Sequence, residues 1–120
     1  MDFKFSQKSS DLQEKMNKFF QDHIFPNEEA YEKAILDSGD PLHIPELLDE
    51  LKDKARKEGL WNLFLPDSEH GAGLTNVDYA PLAEITGQVW WAPEVFNCSA
   101  PDTGNMEILA EFGTQEQKDQ

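Results

Sequence analysis

The stretch from Gly59 to Gly87, GLWNLFLPDSEHGAGLTNVDYAPLAEITG, constrains the fold more than any other part of the chain. It packs a helix stop, an apolar plug, a glycine turn and a new helix start into 29 residues. Gly59 stands where a left-handed C-cap is expected, because a residue without Cβ takes that conformation at no steric cost. Leu60, Trp61, Leu63, Phe64 and Leu65 form an apolar run that ends at Pro66. A short buried strand is one reading of this run. After a capped helix, an extended plug into a helical core is the expected one. Asp67 to Gly73 reads as a turn. Thr75 or Asn76 can cap the next helix, which runs to about Gly87. Pro81 falls inside that helix and removes a backbone hydrogen bond or introduces a kink.

The flanking segments are helical by spacing. Ser9, Ser10 and Asp11 are capping types ahead of Leu12, Met16, Phe19, Phe20 and Ile24. Pro26 breaks or kinks that helix, and Asn27-Glu28-Glu29 can start another with Ala30, Tyr31, Ala34 and Ile35 as its apolar face. Gly39, Asp40 and Pro41 mark a loop. Ile44, Leu47, Leu48, Leu51 and Ala55 give the clearest amphipathic helix. Its acids come first and its bases last, which suits the helix dipole. Glu50–Lys54 and Asp53–Lys57 are i,i+4 pairs in the favourable order, so this basic cluster needs no ligand to explain it. Further on, Asp102 or Thr103 can cap a helix with Met106, Leu109 and Phe112 on one face and Gly113 closing it. Thr114-Gln-Glu-Gln117 fits a capping box. An apolar face should follow, yet only Lys118, Asp119 and Gln120 remain. The chain therefore reads as the front part of a longer protein.

Twelve Leu against eight Val plus Ile favour helix over sheet. The length fits one domain, residues 1–120. Net charge is −14, and 59–120 hold 10 acids against the single base Lys118. That argues against nucleic acid, whose phosphates need clusters of Lys and Arg. An acidic solvated surface explains it, and a surface that meets a basic partner or a basic second domain is the sharper reading. The single Cys98 forms no internal disulfide and fits a reducing, cytoplasmic setting. The first residues lack the apolar core of a secretory signal. No run reaches the roughly 18 apolar residues of a membrane span.

Residues that could carry chemistry are sparse. His23, His43 and His70 are scattered and form no metal pattern. Ser99 lacks a nucleophile-elbow context. The His70-Gly71-Ala72-Gly73 turn matches no phosphate-binding fingerprint. The better candidate lies after Trp90-Trp91, where the small residues Ser99, Ala100 and Gly104 can leave room for an apolar ligand. Close helix packing is the plain alternative.

These residues resemble a known family. Gly59-Leu-Trp-x-Leu-x-Leu-Pro66, an acid, a glycine turn, Gly73-Leu74-Thr75, Asp78 and Ala83-Glu84 look like the N-terminal helical domain of flavin-dependent acyl-CoA dehydrogenases. Gly113-Thr-Gln-Glu-Gln-Lys118 is similar to the segment that precedes the family's middle β-domain. Phe96 to Glu107 looks most like a subgroup acting on longer or unusual acyl chains. The resemblance runs from Asp2-Phe3 through Lys118. The family's turn is usually glycine-glycine-x-glycine, and Pro81 is unusual in its helix.

The resemblance implies an all-α fold of the acyl-CoA dehydrogenase N-terminal type, a bundle of about five to six helices. It implies a parent enzyme in which a carboxylate removes the α-proton of an acyl-CoA and a β-hydride passes to flavin N5. The parent would use FAD, acyl-CoA and an electron acceptor, and a homo-oligomer is expected. The middle β-domain, the C-terminal helical domain and the catalytic base would lie outside these residues. Glu84 is not nominated as the base. This part alone is expected to be inactive and to hold no cofactor. By resemblance, Phe96, Ala100, Pro101 and Gly104 line one wall of the acyl pocket, with Cys98 and Tyr79 behind them. The competing reading is a free-standing acidic helical interaction module. In an isolated domain, the apolar Trp90–Phe96 region is expected to self-associate or to be partly disordered.

Overall fold

A computed structural model describes residues 4–67 and 69–120. Asp2 and Phe3, where the resemblance begins, lie outside the described residues. Among the described residues the chain is all-helical. Five helices of 11 to 13 residues are α1 (Gln7–Phe19), α2 (Glu28–Ser38), α3 (Glu46–Lys57), α4 (Asn76–Thr86) and α6 (Asp102–Phe112). Two single turns, α5 (Ala92–Val95) and α7 (Gln115–Lys118), complete the set.

The cap of α1 is Ser6, not the Ser9–Asp11 group, which lies inside the helix. Ser6 has the extended backbone that a cap needs, and its hydroxyl accepts from the Ser9 amide at 3.1 Å. Ser9 faces α4 instead. It is fully buried, and its hydroxyl donates to the Asp78 carbonyl at 2.7 Å. Asp78 also accepts from the Ser6 amide at 3.1 Å and from the Thr75 hydroxyl at 2.9 Å. One carboxylate thus ties the start of α1 to the start of α4, the two helices that pack most extensively on each other.

Met16, Phe19, Phe20 and Ile24 enter the core as their spacing predicts. The helix changes form as it nears Pro26, which cannot donate a backbone bond. Phe20–Ile24 widens to a π turn and Phe25–Asn27 tightens to a 3-10 turn. On α2 only Tyr31 is fully buried, and Ala30 is exposed, against the expected apolar face. Neighbouring residues sit far apart around a helix, so turning Tyr31 and Ile35 inward turns Ala30 out. The Tyr31 ring stacks on Trp91 at 4.2 Å.

α3 buries Leu48, Leu51 and Ala55. Ile44 does not belong to it: Pro45 holds the cap position, and Ile44 stays 67% exposed. The two expected i,i+4 pairs do not form. Asp53 meets Arg56 at 3.2 Å, Lys52 reaches Glu94 on α5, and the Arg56 guanidinium lies 4.0 Å over the Trp61 ring. The Asp53–Arg56 pair stays within α3, while Lys52 and the Arg56 guanidinium fasten the helix to its neighbours.

Gly59, at φ 69°, closes α3 in a Schellman motif. Its amide donates to Arg56 and the Leu60 amide donates to Ala55, at 3.0 and 2.9 Å. Leu60, Leu63 and Leu65 then plug the core through an irregular segment, with Trp61 and Phe64 half-buried. Thr75 caps α4 through the Asp78 amide, Pro81 sits inside α4, and Gly87 closes it.

Trp91, Ala92, Val95 and Phe96 all lie in the core, so the Trp90–Phe96 segment is mostly inward. Trp90 alone turns out, 69% exposed. Asp102 and Thr103 do not cap α6. Pro101 occupies that position, and Asp102 is the first helical residue, where its charge suits the dipole. The expected apolar face of α6 is half-buried at Met106 and exposed at Leu109 and Phe112. The capping box at Thr114 is complete, with the Gln117 side chain accepting from the Thr114 amide at 2.9 Å.

Candidate functional site

The six residues expected at an acyl pocket converge on the corner between α5 and α6, with Tyr79 reaching it from α4. Phe96 faces inward. Its ring stacks against Phe20 at 6.0 Å and meets Phe19 edge-on at 5.3 Å. The chain then turns outward. Cys98 is half-buried and its amide donates to the Pro93 carbonyl at 3.0 Å. Ala100, Pro101 and Gly104 are exposed, and the Ala100–Pro101 peptide is cis. A Cβ at Gly104 would meet nothing within 4 Å. The corner therefore runs from Phe96, packed in the core, to an outer edge of exposed Ala100, Pro101 and Gly104.

The Tyr79 hydroxyl donates to Cys98 Sγ at 3.2 Å. Burial, and then this bond, push the Tyr79 hydroxyl well above its ordinary value of 10.0. Tyr79 is thus a neutral donor at physiological pH and a brace for the corner. Two asparagines that the sequence reading gave no role also meet here. Asn62 and Asn97 both have positive φ, a conformation that asparagine tolerates better than most residues. Their position beside a glycine cap and beside a helix end was the available signal.

Two hollows lie next to this corner rather than within it, and a third of about 490 Å³ lies between Pro66, Asp67, Asn76 and Glu107. One of about 150 Å³ is lined by Asn62, Leu65, His70, Met106, Leu109 and Lys118, among others. Another of about 310 Å³ runs between Tyr31, Leu48, Lys52, Trp91 and Glu94 and reaches Ser99. None of the six expected residues lines either. Among the described residues no group of acids, histidines and cysteine is placed to hold a metal, and no helix is long and apolar enough to cross a membrane.

The glycine turn is built around its own carboxylate. Asp67 Oδ1 accepts from the amides of Glu69 and His70, at 2.6 and 3.1 Å, and the Asp67 carbonyl accepts from Gly73 at 3.2 Å. Gly71 is required because a Cβ there would sit 2.2 Å from the Leu65 carbonyl oxygen. A phosphate at this turn would have to displace Asp67. The two backbone amides hold the Asp67 carboxyl below its ordinary 3.8. A depressed folded value means stability that is present above pH 3.8 and lost as pH falls through the folded value. Asp67→Asn is therefore expected to melt lower than wild type at neutral pH and to lose less on acidification below about pH 4. Thermal melts at pH 7 and pH 3 check this; equal acid slopes would count against it.

A family model described as acyl-CoA dehydrogenase, N-terminal domain, matches residues 6–120. The chain belongs to the acyl-CoA dehydrogenase family. It is similar to the probable acyl-CoA dehydrogenase FadE2 of Mycobacterium tuberculosis, 48% identical over all of this chain and 29% of that protein. It is similar to acyl-CoA dehydrogenase family member 10 of Mus musculus, 48% identical over 89% of this chain and 10% of that protein. A solved structure from Mycobacterium abscessus assigned to the same family superposes with a TM-score of 0.84 at 45% identity, covering 97% of this chain and 30% of that one. The chain thus spans less than a third of these relatives. The all-helical fold is that of the family's N-terminal domain.

Proposed function

We propose that this chain forms one wall of the acyl pocket in an FAD-dependent enzyme that dehydrogenates acyl-CoA thioesters between Cα and Cβ. The observation that carries the reading is the open first turn of α6. Gly104 has free space where its Cβ would be, and it stands beside Ala100 and Pro101 on a corner backed by the buried Phe96 ring. Such an edge can receive an alkyl chain without moving the core. Phe96 is the floor, Ala100, Pro101 and Gly104 are the lining, and the Tyr79–Cys98 pair holds the corner from behind. Their work is to exclude water and align the chain, so that the reacting carbons stay in place.

The flavin would supply the hydride acceptor when bound. The Asp67 turn does not fit its phosphates, because the Asp67 carboxylate already occupies the Glu69 and His70 amides. No residue of this chain is assigned to the cofactor or to the catalytic base, and the chain alone is expected to be inactive. Ile108, Leu109 and Phe112 lie exposed on α6 and would meet the remainder of the enzyme. Family membership favours this reading over a free-standing interaction module. A homo-oligomer, a separate electron acceptor and a cytoplasmic setting belong to the same proposal.

The test is photolabelling of the whole enzyme with an acyl-CoA bearing a diazirine at the far end of its chain. Adducts are expected within residues 96–109. Adducts confined to other parts of the enzyme would overturn the reading.

A further inference from the structure

We propose that Asn62 and Asn97 form a clasp that sets the Cys98–Gly104 corner, which makes Asn97 a positioning residue for the acyl tail. The inference rests on the acyl-wall reading above. Asn62 and Asn97 are the non-glycine residues with positive φ among the described residues, at 56° and 62°. Side chains disfavour that backbone, so something must hold it. Here each residue holds the other. The Asn97 Nδ2 donates to Asn62 Oδ1 at 2.7 Å, and the Asn62 amide donates to the Phe96 carbonyl at 3.3 Å.

The orientation is fixed by a third bond. Asn62 Nδ2 donates to the His70 carbonyl at 3.2 Å, which leaves Oδ1 to face Asn97. Asn97 Nδ2 also lies 3.2 Å from Met106 Sδ on α6. Four segments meet at these two side chains: the apolar plug, the Asp67 turn, the end of α5 and the body of α6. The corner begins one residue after Asn97, with Asn97 and Cys98 donating to Glu94 and Pro93 at 3.1 and 3.0 Å. Any shift of Asn97 passes directly to Cys98, Ala100 and Pro101.

Asn62→Gly and Asn97→Gly test this, because glycine keeps the left-handed backbone and removes only the side-chain bonds. Hydrogen exchange of residues 98–104 in the whole enzyme is expected to quicken at least about tenfold in each variant, the factor of the Asn62–Asn97 bond that both lose. The double variant should quicken exchange by less than the product of the two single effects, because both remove the same Asn62–Asn97 bond. KM for long-chain acyl-CoA is expected to rise about tenfold, with KM for short-chain acyl-CoA and kcat each within about twofold. Unchanged exchange would overturn the clasp. Faster exchange with an unchanged KM profile would leave the clasp standing and overturn its positioning role, whereas the acyl-wall reading itself falls only if the photolabel misses residues 96–109. A uniform loss at every chain length, kcat included, would make the pair a fold element only and overturn the positioning role.

Discussion

Phe19→Ala is expected to lower the unfolding midpoint by roughly 12–20 °C, from a loss of about 3–5 kcal/mol at about 4 °C per kcal/mol. Phe19 is 0% exposed and sits at the meeting point of the core. Its ring lies 4.9 Å from His23 and 5.3 Å from Phe96. No neighbour can follow the truncation inward without leaving its own contacts, so a cavity remains. The loss is a large part of the roughly 5–15 kcal/mol that holds a domain together. Leu36→Ala is the control. Leu36 is 79% exposed, so its truncation should shift the midpoint far less. Thermal unfolding followed by circular dichroism measures both. Equal shifts would mean that the core is not centred on Phe19.

Gly104→Leu is expected to change function without a comparable change in stability. A Cβ at Gly104 meets nothing, and the residue lies in the first turn of α6, where Leu is a better helix former than Gly. The new side chain would project from the wall and take the space of about three methylenes. At about 0.8 kcal/mol for each methylene kept out of the pocket, the loss is about 2.4 kcal/mol, or roughly fiftyfold in kcat/KM for long chains. Short chains that never reach Gly104 would be spared.

Much of the fold was legible because its signals are local. Gly59 closing α3, Thr75 capping α4 and the Thr114 box each depend on a few adjacent residues. The misses came where distant partners decide. Ser9 looks like a cap, yet its hydroxyl is used by Asp78 on another helix. Lys52 could pair along α3, and Glu94 on α5 takes it instead. Ile44 continues the apolar spacing of α3, but Pro45 starts the helix after it. At the candidate site, the sequence pointed to the α5–α6 corner through its small residues. It did not point to the bond between Asn62 and Asn97, which spans a sequence gap that no spacing rule covers.

The most direct measurement is the chain-length profile of kcat/KM for wild type and Gly104→Leu, made on the whole enzyme with acyl-CoA substrates of increasing length. The wall reading predicts a profile cut off at shorter chains, with short-chain turnover and melting temperature close to wild type. A profile of unchanged shape, in a variant that melts like wild type, would contradict it.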